Sequence, residues 1–157
     1  MIIVSDTSPI NYLILIGHIN LLPELFQEIV IPQAVYSELC DTKAPNLVQN
    51  WITTAPDWLK IQVVSKSEDA IVDFLDPGEG EAILLAQELN ADLLLLDDMK
   101  ARRIATERGL LITGILGILD RAATMKLIDL SAAIQSLKNT SFWASDSLLQ
   151  KLLDKHA

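Results

Sequence analysis

Two hydrophobic patterns alternate along the chain. Short apolar runs at Ile2–Ser5, Glu28–Ile31, Leu59–Val64, Asp92–Leu96 and Leu110–Thr113 are rich in Val, Ile and Leu and predict strands buried on both faces. Longer stretches with helical spacing lie between them, so the order reads strand, helix, strand throughout, with an additional small helix in some gaps. Punctuation supports the alternation. Ser8–Pro9 reads as an N-cap followed by proline at the first helical position, and Pro32 opens a helix over Gln33–Cys40. Pro77–Gly78 breaks the chain before Glu79–Leu89, Gly109 closes Met99–Arg108, and Gly114 opens Ile115–Met125. Beyond Leu130 the pattern is helical, over Ser131–Leu137 and Ser145–Leu153, and this part is expected to sit outside the core. No repeat or low-complexity linker interrupts this α/β organisation.

At 157 residues the chain is expected to form one domain, and its 50% hydrophobic content with mean hydropathy +0.33 excludes disorder by low hydrophobicity. The apolar character raises the question of a membrane span. The richest stretch, Ile10 to Phe26, is interrupted by Gly17, His18, Asn20 and Pro23, so no run of about 18 apolar residues exists. Met1–Asp6 lacks a basic leader and a cleavage site, and the single cysteine, Cys40, forms no internal disulfide, so a soluble cytoplasmic protein is expected. Cys40 reads as a small buried hydrophobe. Net charge of -9 argues against nucleic-acid binding by bulk electrostatics, which confines any such contact to the basic group Lys100, Arg102, Arg103 and Arg108.

The acids carry the candidate chemistry. Asp6 follows the first strand directly, where open parallel sheets place their ligands, and either caps the next helix or lines a site. Asp97–Asp98 ends the Leu93–Leu96 run, and one helix cap needs only one of the two. Glu79 and Glu81 open a helix, with Glu81 at the rim of its buried face, and Glu38 lies near a helix end where the dipole disfavours an acid. His18 is read as a helix-end residue and His156 as part of a frayed tail. With two histidines and one cysteine a zinc centre is not signalled, and neither a phosphate loop nor a dinucleotide turn is present.

In this order, Val4–Ser5–Asp6–Thr7–Ser8–Pro9, Val35–Tyr36–Ser37–Glu38, Gly78–Glu79–Gly80–Glu81–Ala82–Ile83 and Leu96–Asp97–Asp98 with Arg102 on the next helix, the chain resembles a PIN domain. It is most similar to the small VapC-like toxins of type II toxin–antitoxin systems. The resemblance implies a three-layer α/β/α fold around a mostly parallel sheet of about five short strands. It implies a catalytic domain over residues 1–138, with 139–157 a helical extension packed on the same domain or on a partner. It also implies a metal-dependent endoribonuclease, with Asp6, Glu38, Glu81 and Asp98 catalytic. Asp6, Glu81, Asp97 and Asp98 would bind metal, with Asp97 and Asp98 alternatives for the last acidic position. Thr7, Ser8, Glu79 and Arg102 would support them, and Arg102 reads equally as an i,i+4 partner of Asp98. Lys100, Arg103 and Arg108 would bind RNA.

An all-carboxylate site supplies hard oxygen ligands suited to Mg²⁺ or Mn²⁺, whose reaction with RNA is phosphodiester hydrolysis. A cognate antitoxin and a homodimer are implied as partners, with Leu148, Leu149, Leu152 and Leu153 of the last helix candidates for association. Two alternatives compete: a non-catalytic PIN-like module that binds RNA or protein, and a receiver-type phosphoacceptor domain. The receiver needs an acidic pair after strand one and an Asp after strand three, where this chain has Asp6 alone and no acid.

Overall fold

The computed structural model describes residues 1–65 and 69–157. The chain runs β1 (Ile3–Ser5), α1 (Thr7–Leu15), α2 (Leu21–Phe26), β2 (Ile29–Pro32), α3 (Gln33–Cys40), α4 (Asn46–Thr53) and β3 (Leu59–Gln62). A short 3₁₀ turn, Ala70–Asp73, leads to α5 (Pro77–Glu88) and β4 (Leu93–Leu95). The remainder is α6 (Met99–Glu107), β5 (Ile112–Thr113), α7 (Ile115–Thr124), α8 (Leu130–Lys138) and α9 (Asp146–Lys155). The strands form one parallel sheet in the order β3-β2-β1-β4-β5, with Ile3, Val4 and Ser5 in register with Leu93, Leu94 and Leu95.

Alternation along each strand divides the core into two faces. Ile3 and Leu95 join one cluster with Ile10 and Leu13 of α1, Val35 and Leu39 of α3, and Ile118 of α7. Val4, Leu94 and Leu96 join another with Ile83 and Leu85 of α5 and Ala101 and Ala105 of α6. The sheet is thus the middle layer of a three-layer α/β/α fold. Among the described residues no helix is long and apolar enough to cross a membrane.

Local sequence and tertiary packing disagree in a few places. Helix α1 begins at Thr7, so Ser8 lies inside its first turn, and Pro9 is tolerated there because first-turn N–H groups lack helical partners. Pro77–Gly78 belongs to the first turn of α5 rather than to a break, because Asp76 caps it by accepting from the Glu79 N–H at 2.8 Å. Gly109 does follow α6 in a left-handed conformation, φ +82°. Cys40 is exposed, at the last residue of α3. The segment after Leu130 does not lie outside the core: Leu130, Ala133, Ile134 and Leu137 of α8 and Leu149 of α9 are buried. Nor does the end of the chain fray, since Asp120 of α7 accepts from Lys155 Nζ at 2.8 Å and pairs with His156 Nε2 at 2.6 Å.

Candidate functional site

From β1 the chain winds to β2 and β3 on one side and then crosses to β4 and β5 on the other. Neighbouring β1 and β4 therefore diverge into opposite crossovers, and their carboxyl ends open a crevice of the kind where α/β sheets bind ligands. Asp6 leaves β1 into this crevice, its backbone N–H held by the Leu95 carbonyl at 2.9 Å. It occupies the cap position of α1, yet its side chain makes no capping hydrogen bond. The residue is 3% exposed and Oδ1 is buried without a hydrogen-bond partner. Burial raises its pKa well above the usual carboxylate value; the Thr7 backbone N–H opposes the shift, and the charges of Asp76, Glu79 and Glu38 reinforce it.

Glu38 reaches the crevice from α3. Its Oε1 accepts from the Thr7 hydroxyl and its Oε2 from the Gly78 N–H at 3.0 Å. An acid near the end of its own helix thus faces the starts of α1 and α5, where helix dipoles favour negative charge. Gly78 is needed for this approach, because a Cβ there would lie 2.7 Å from Glu38 Oε2. Burial raises the Glu38 pKa, with the Thr7 and Gly78 hydrogen bonds opposing and the charges of Asp76 and Glu81 adding to the rise.

Asp76 completes the arrangement. One carboxylate oxygen from each of Asp6, Glu38 and Asp76 can be chosen so that all three lie within 4.8 Å of one another. Asp76 is a residue the sequence reading passes over. Its signal is an acid directly before a proline that starts a helix, a cap pattern concealed by reading Pro77–Gly78 as a break. Half-buried Glu79 lies beside this group, its carboxyl pushed up to about 7 by burial and then by the charges of Asp76 and Asp98.

The other expected acids lie nearby but bond to N–H groups at helix starts. Glu81 Oε1 accepts from the Ala34 N–H at 3.0 Å, serving the start of α3, whose cap position is Pro32 and has no side-chain acceptor. Asp97 Oδ1 accepts from the Ile115 N–H at 2.9 Å, serving α7 in the same way behind Gly114. Burial raises the Asp97 pKa, the Ile115 N–H and Arg102 oppose the rise, and Oδ2 is buried without a partner. Asp98 caps α6 by accepting from the Ala101 N–H at 2.9 Å. Neither Glu81, Asp97 nor Asp98 belongs to the close trio.

Thr7 and Ser8 lie half-buried in the first turn of α1, and only Thr7 bonds to an acid of the trio. Arg102 places Nη1 on the Leu96 carbonyl at 3.3 Å and faces Asp97, not Asp98. Lys100 donates to the Phe74 carbonyl at 2.7 Å, Arg103 is exposed, and Arg108 is bound by Asp69 at 2.9 Å and by Gln87 at 2.8 Å. A cleft of about 280 Å³ opens beside Glu38, lined also by Thr7, Asn11 and Lys43.

Three converging carboxylates, one with a buried oxygen that no donor satisfies, are unfavourable without a positive charge. Among the described residues none of the ion pairs involves them. The donor set is all oxygen, which fits a hard divalent cation. A family model for the PIN domain matches residues 2–157. No curated protein and no solved structure matches the chain.

Proposed function

Because the chain belongs to the PIN-domain family, a family of nucleases, we propose that it is a metal-dependent endoribonuclease that hydrolyses RNA phosphodiester bonds. The observation that supports this most is the convergence of Asp6, Glu38 and Asp76 at the β1–β4 crevice with Asp6 Oδ1 buried and unpartnered. These three would hold Mg²⁺ or Mn²⁺, which when bound supplies Lewis-acid charge for the scissile phosphate and a water of lowered pKa. Thr7 fixes Glu38 through its hydroxyl, and the Gly78 N–H fixes the other oxygen of the same carboxylate. Glu79 and Asp98 border the trio, and Glu79, with a carboxyl near 7, can hold or release a proton there at neutral pH. Glu81 and Asp97 act one step back, orienting the starts of α3 and α7.

Arg103, exposed on α6, and Lys100, which also donates to the Phe74 carbonyl, would meet the RNA backbone, whereas Arg108 is bound by Asp69 and Gln87. The resemblance to VapC-like proteins supports a toxin role, a cognate antitoxin and a homodimer. Of the α9 leucines, Leu149 is buried and Leu152 and Leu153 pack partly on the core, which leaves Leu148, 50% exposed, for association.

The test is cleavage of single-stranded RNA by the purified protein with Mg²⁺ or Mn²⁺, with chelator, and with Asp6→Asn. Metal-dependent cleavage lost in chelator and in the variant is expected. Undiminished cleavage by Asp6→Asn would remove the proposed site, and RNA binding with no cleavage under either ion would leave the non-catalytic binding module in its place.

A further inference from the structure

The cleft of about 280 Å³ beside Glu38 shares Thr7 and Glu38 with the acidic site, so it opens directly onto the trio. Asn11, one turn beyond Thr7 on α1, and Lys43, in the loop between α3 and α4, line it together with buried Leu39 and Val48. That loop is braced at three points. Asp41 Oδ1 accepts from the Lys43 backbone N–H at 2.8 Å, the Ala44 N–H reaches the Asp41 carbonyl at 3.0 Å, and Gln49 Nε2 of α4 donates to the Ala44 carbonyl at 2.6 Å. These contacts fix the backbone that carries Lys43 and leave its ammonium out. Among the described residues neither Lys43 Nζ nor the Asn11 side-chain amide has a hydrogen-bond or ion-pair partner. Lys43 is exposed, and it is the one cation among the residues that line this cleft.

We infer that Lys43 and Asn11 hold the phosphate next to the scissile one, and so lead the RNA strand out of the acidic site over the loop between α3 and α4. The inference rests on the ribonuclease reading and names residues that seat its substrate. Electrostatics chooses the side. At α5 the trio is bordered by Glu79 and Asp98, whose charges repel a phosphate, whereas at α3 it adjoins the cleft that Lys43 lines. Lysine brings a compact point charge on a flexible stem, and the asparagine amide adds neutral N–H donors; both are ordinary phosphate contacts. Of the two acids lining the cleft, Glu38 belongs to the trio and Asp41 braces the loop that presents the lysine. An acidic peptide would also satisfy Lys43, but the shared Thr7 and Glu38 favour a strand whose neighbouring phosphate sits at the trio. With a net charge of -9 the chain offers a strand no long-range attraction, so its phosphates are held by single local contacts and the loss of one is readable.

The probe is a short unstructured oligoribonucleotide titrated in chelator over a range of salt, so that affinity is read without cleavage. Each phosphate neutralised on a single strand adds about 0.7 to the slope of log affinity against log salt, so Lys43→Ala should lower that slope by about 0.7 and weaken binding about fivefold near 0.1 M salt. Lys43→Arg should restore both. Asn11→Ala should weaken binding and leave the slope as in wild type, because it removes no charge. Lys151→Ala, at an exposed lysine of α9, should change neither. Since Lys43 is exposed, its variants should melt as wild type does. Unchanged affinity and slope in Lys43→Ala, or no binding by wild type, overturns the inference. So does a Lys43→Ala variant that loses affinity for a polyglutamate peptide while its RNA affinity stays intact, which would assign the cleft to an acidic protein segment. Lys43-dependent binding without metal-dependent cleavage in a separate assay leaves the phosphate contact standing and refutes the nuclease reading alone.

Discussion

Replacing Asp6 by asparagine separates a ligand carboxylate from a merely buried one. The group is 3% exposed, Oδ1 lacks a partner, and three acids surround it, so its folded-state pKa is raised above the unfolded value. The folded state then binds more protons than the unfolded one between those two values, and stability falls as pH rises through that window. Above it the full penalty is present. Asparagine carries no charge to desolvate and offers N–H donors to the surrounding carboxylates, so with chelator the variant should melt no lower than wild type. The advantage should shrink as pH falls through the raised pKa. Metal reverses the order. At a free Mn²⁺ concentration of about ten times the dissociation constant, linkage stabilises the wild type by about 1.4 kcal/mol. For 157 residues the unfolding entropy is about 0.33 kcal/mol/K, which gives a rise of about 4 °C. Asp6→Asn should show only a small fraction of that rise. The assay is a melting scan of both proteins in chelator and across a Mn²⁺ titration at several pH values. Equal metal-induced shifts would place the cation elsewhere and leave Asp6 as a buried residue at a helix start.

Other expectations follow from single contacts. Glu79, with its carboxyl pushed up to about 7 against an ordinary value of 4.5, should make wild type lose stability as pH rises from about 4.5 to 7 in chelator; Glu79→Gln should flatten that slope, and an unchanged slope would assign it to other groups. Gly78→Ala should displace the Glu38 carboxylate and lower kcat by roughly a hundredfold with little change in far-ultraviolet circular dichroism; a wild-type rate would mean that Glu38 moves aside without consequence. Glu81→Gln keeps an acceptor for the Ala34 N–H and should retain most activity, whereas Glu81→Ala should lower stability by about 1 kcal/mol in urea unfolding; loss of activity in Glu81→Gln with stability intact would make Glu81 a ligand instead.

Much of the scaffold is legible along the chain because strand and helix periodicity are local properties. Helix α3 occupies Gln33–Cys40 as expected, β1 and β4 fall inside the expected runs, and Asp6 and Asp98 mark the carboxyl ends of adjacent strands. A cap also acts within a few residues, so the expectation that only one of Asp97 and Asp98 serves as a cap for α6 is met by Asp98. What each remaining carboxylate does was decided in three dimensions. Asp97 finds an N–H eighteen residues away, Glu81 one forty-seven away and Glu38 one forty away. Those separations close only because the parallel order β3-β2-β1-β4-β5 gathers the starts of α1, α3, α5, α6 and α7 at the carboxyl end of the sheet. Trp143 shows the same limit from the other side. The sequence presents an aromatic pair, and only the fold turns Phe142 inward against Tyr12 and leaves its neighbour standing over a groove, because which face of a connecting segment is covered depends on the elements packed beneath it.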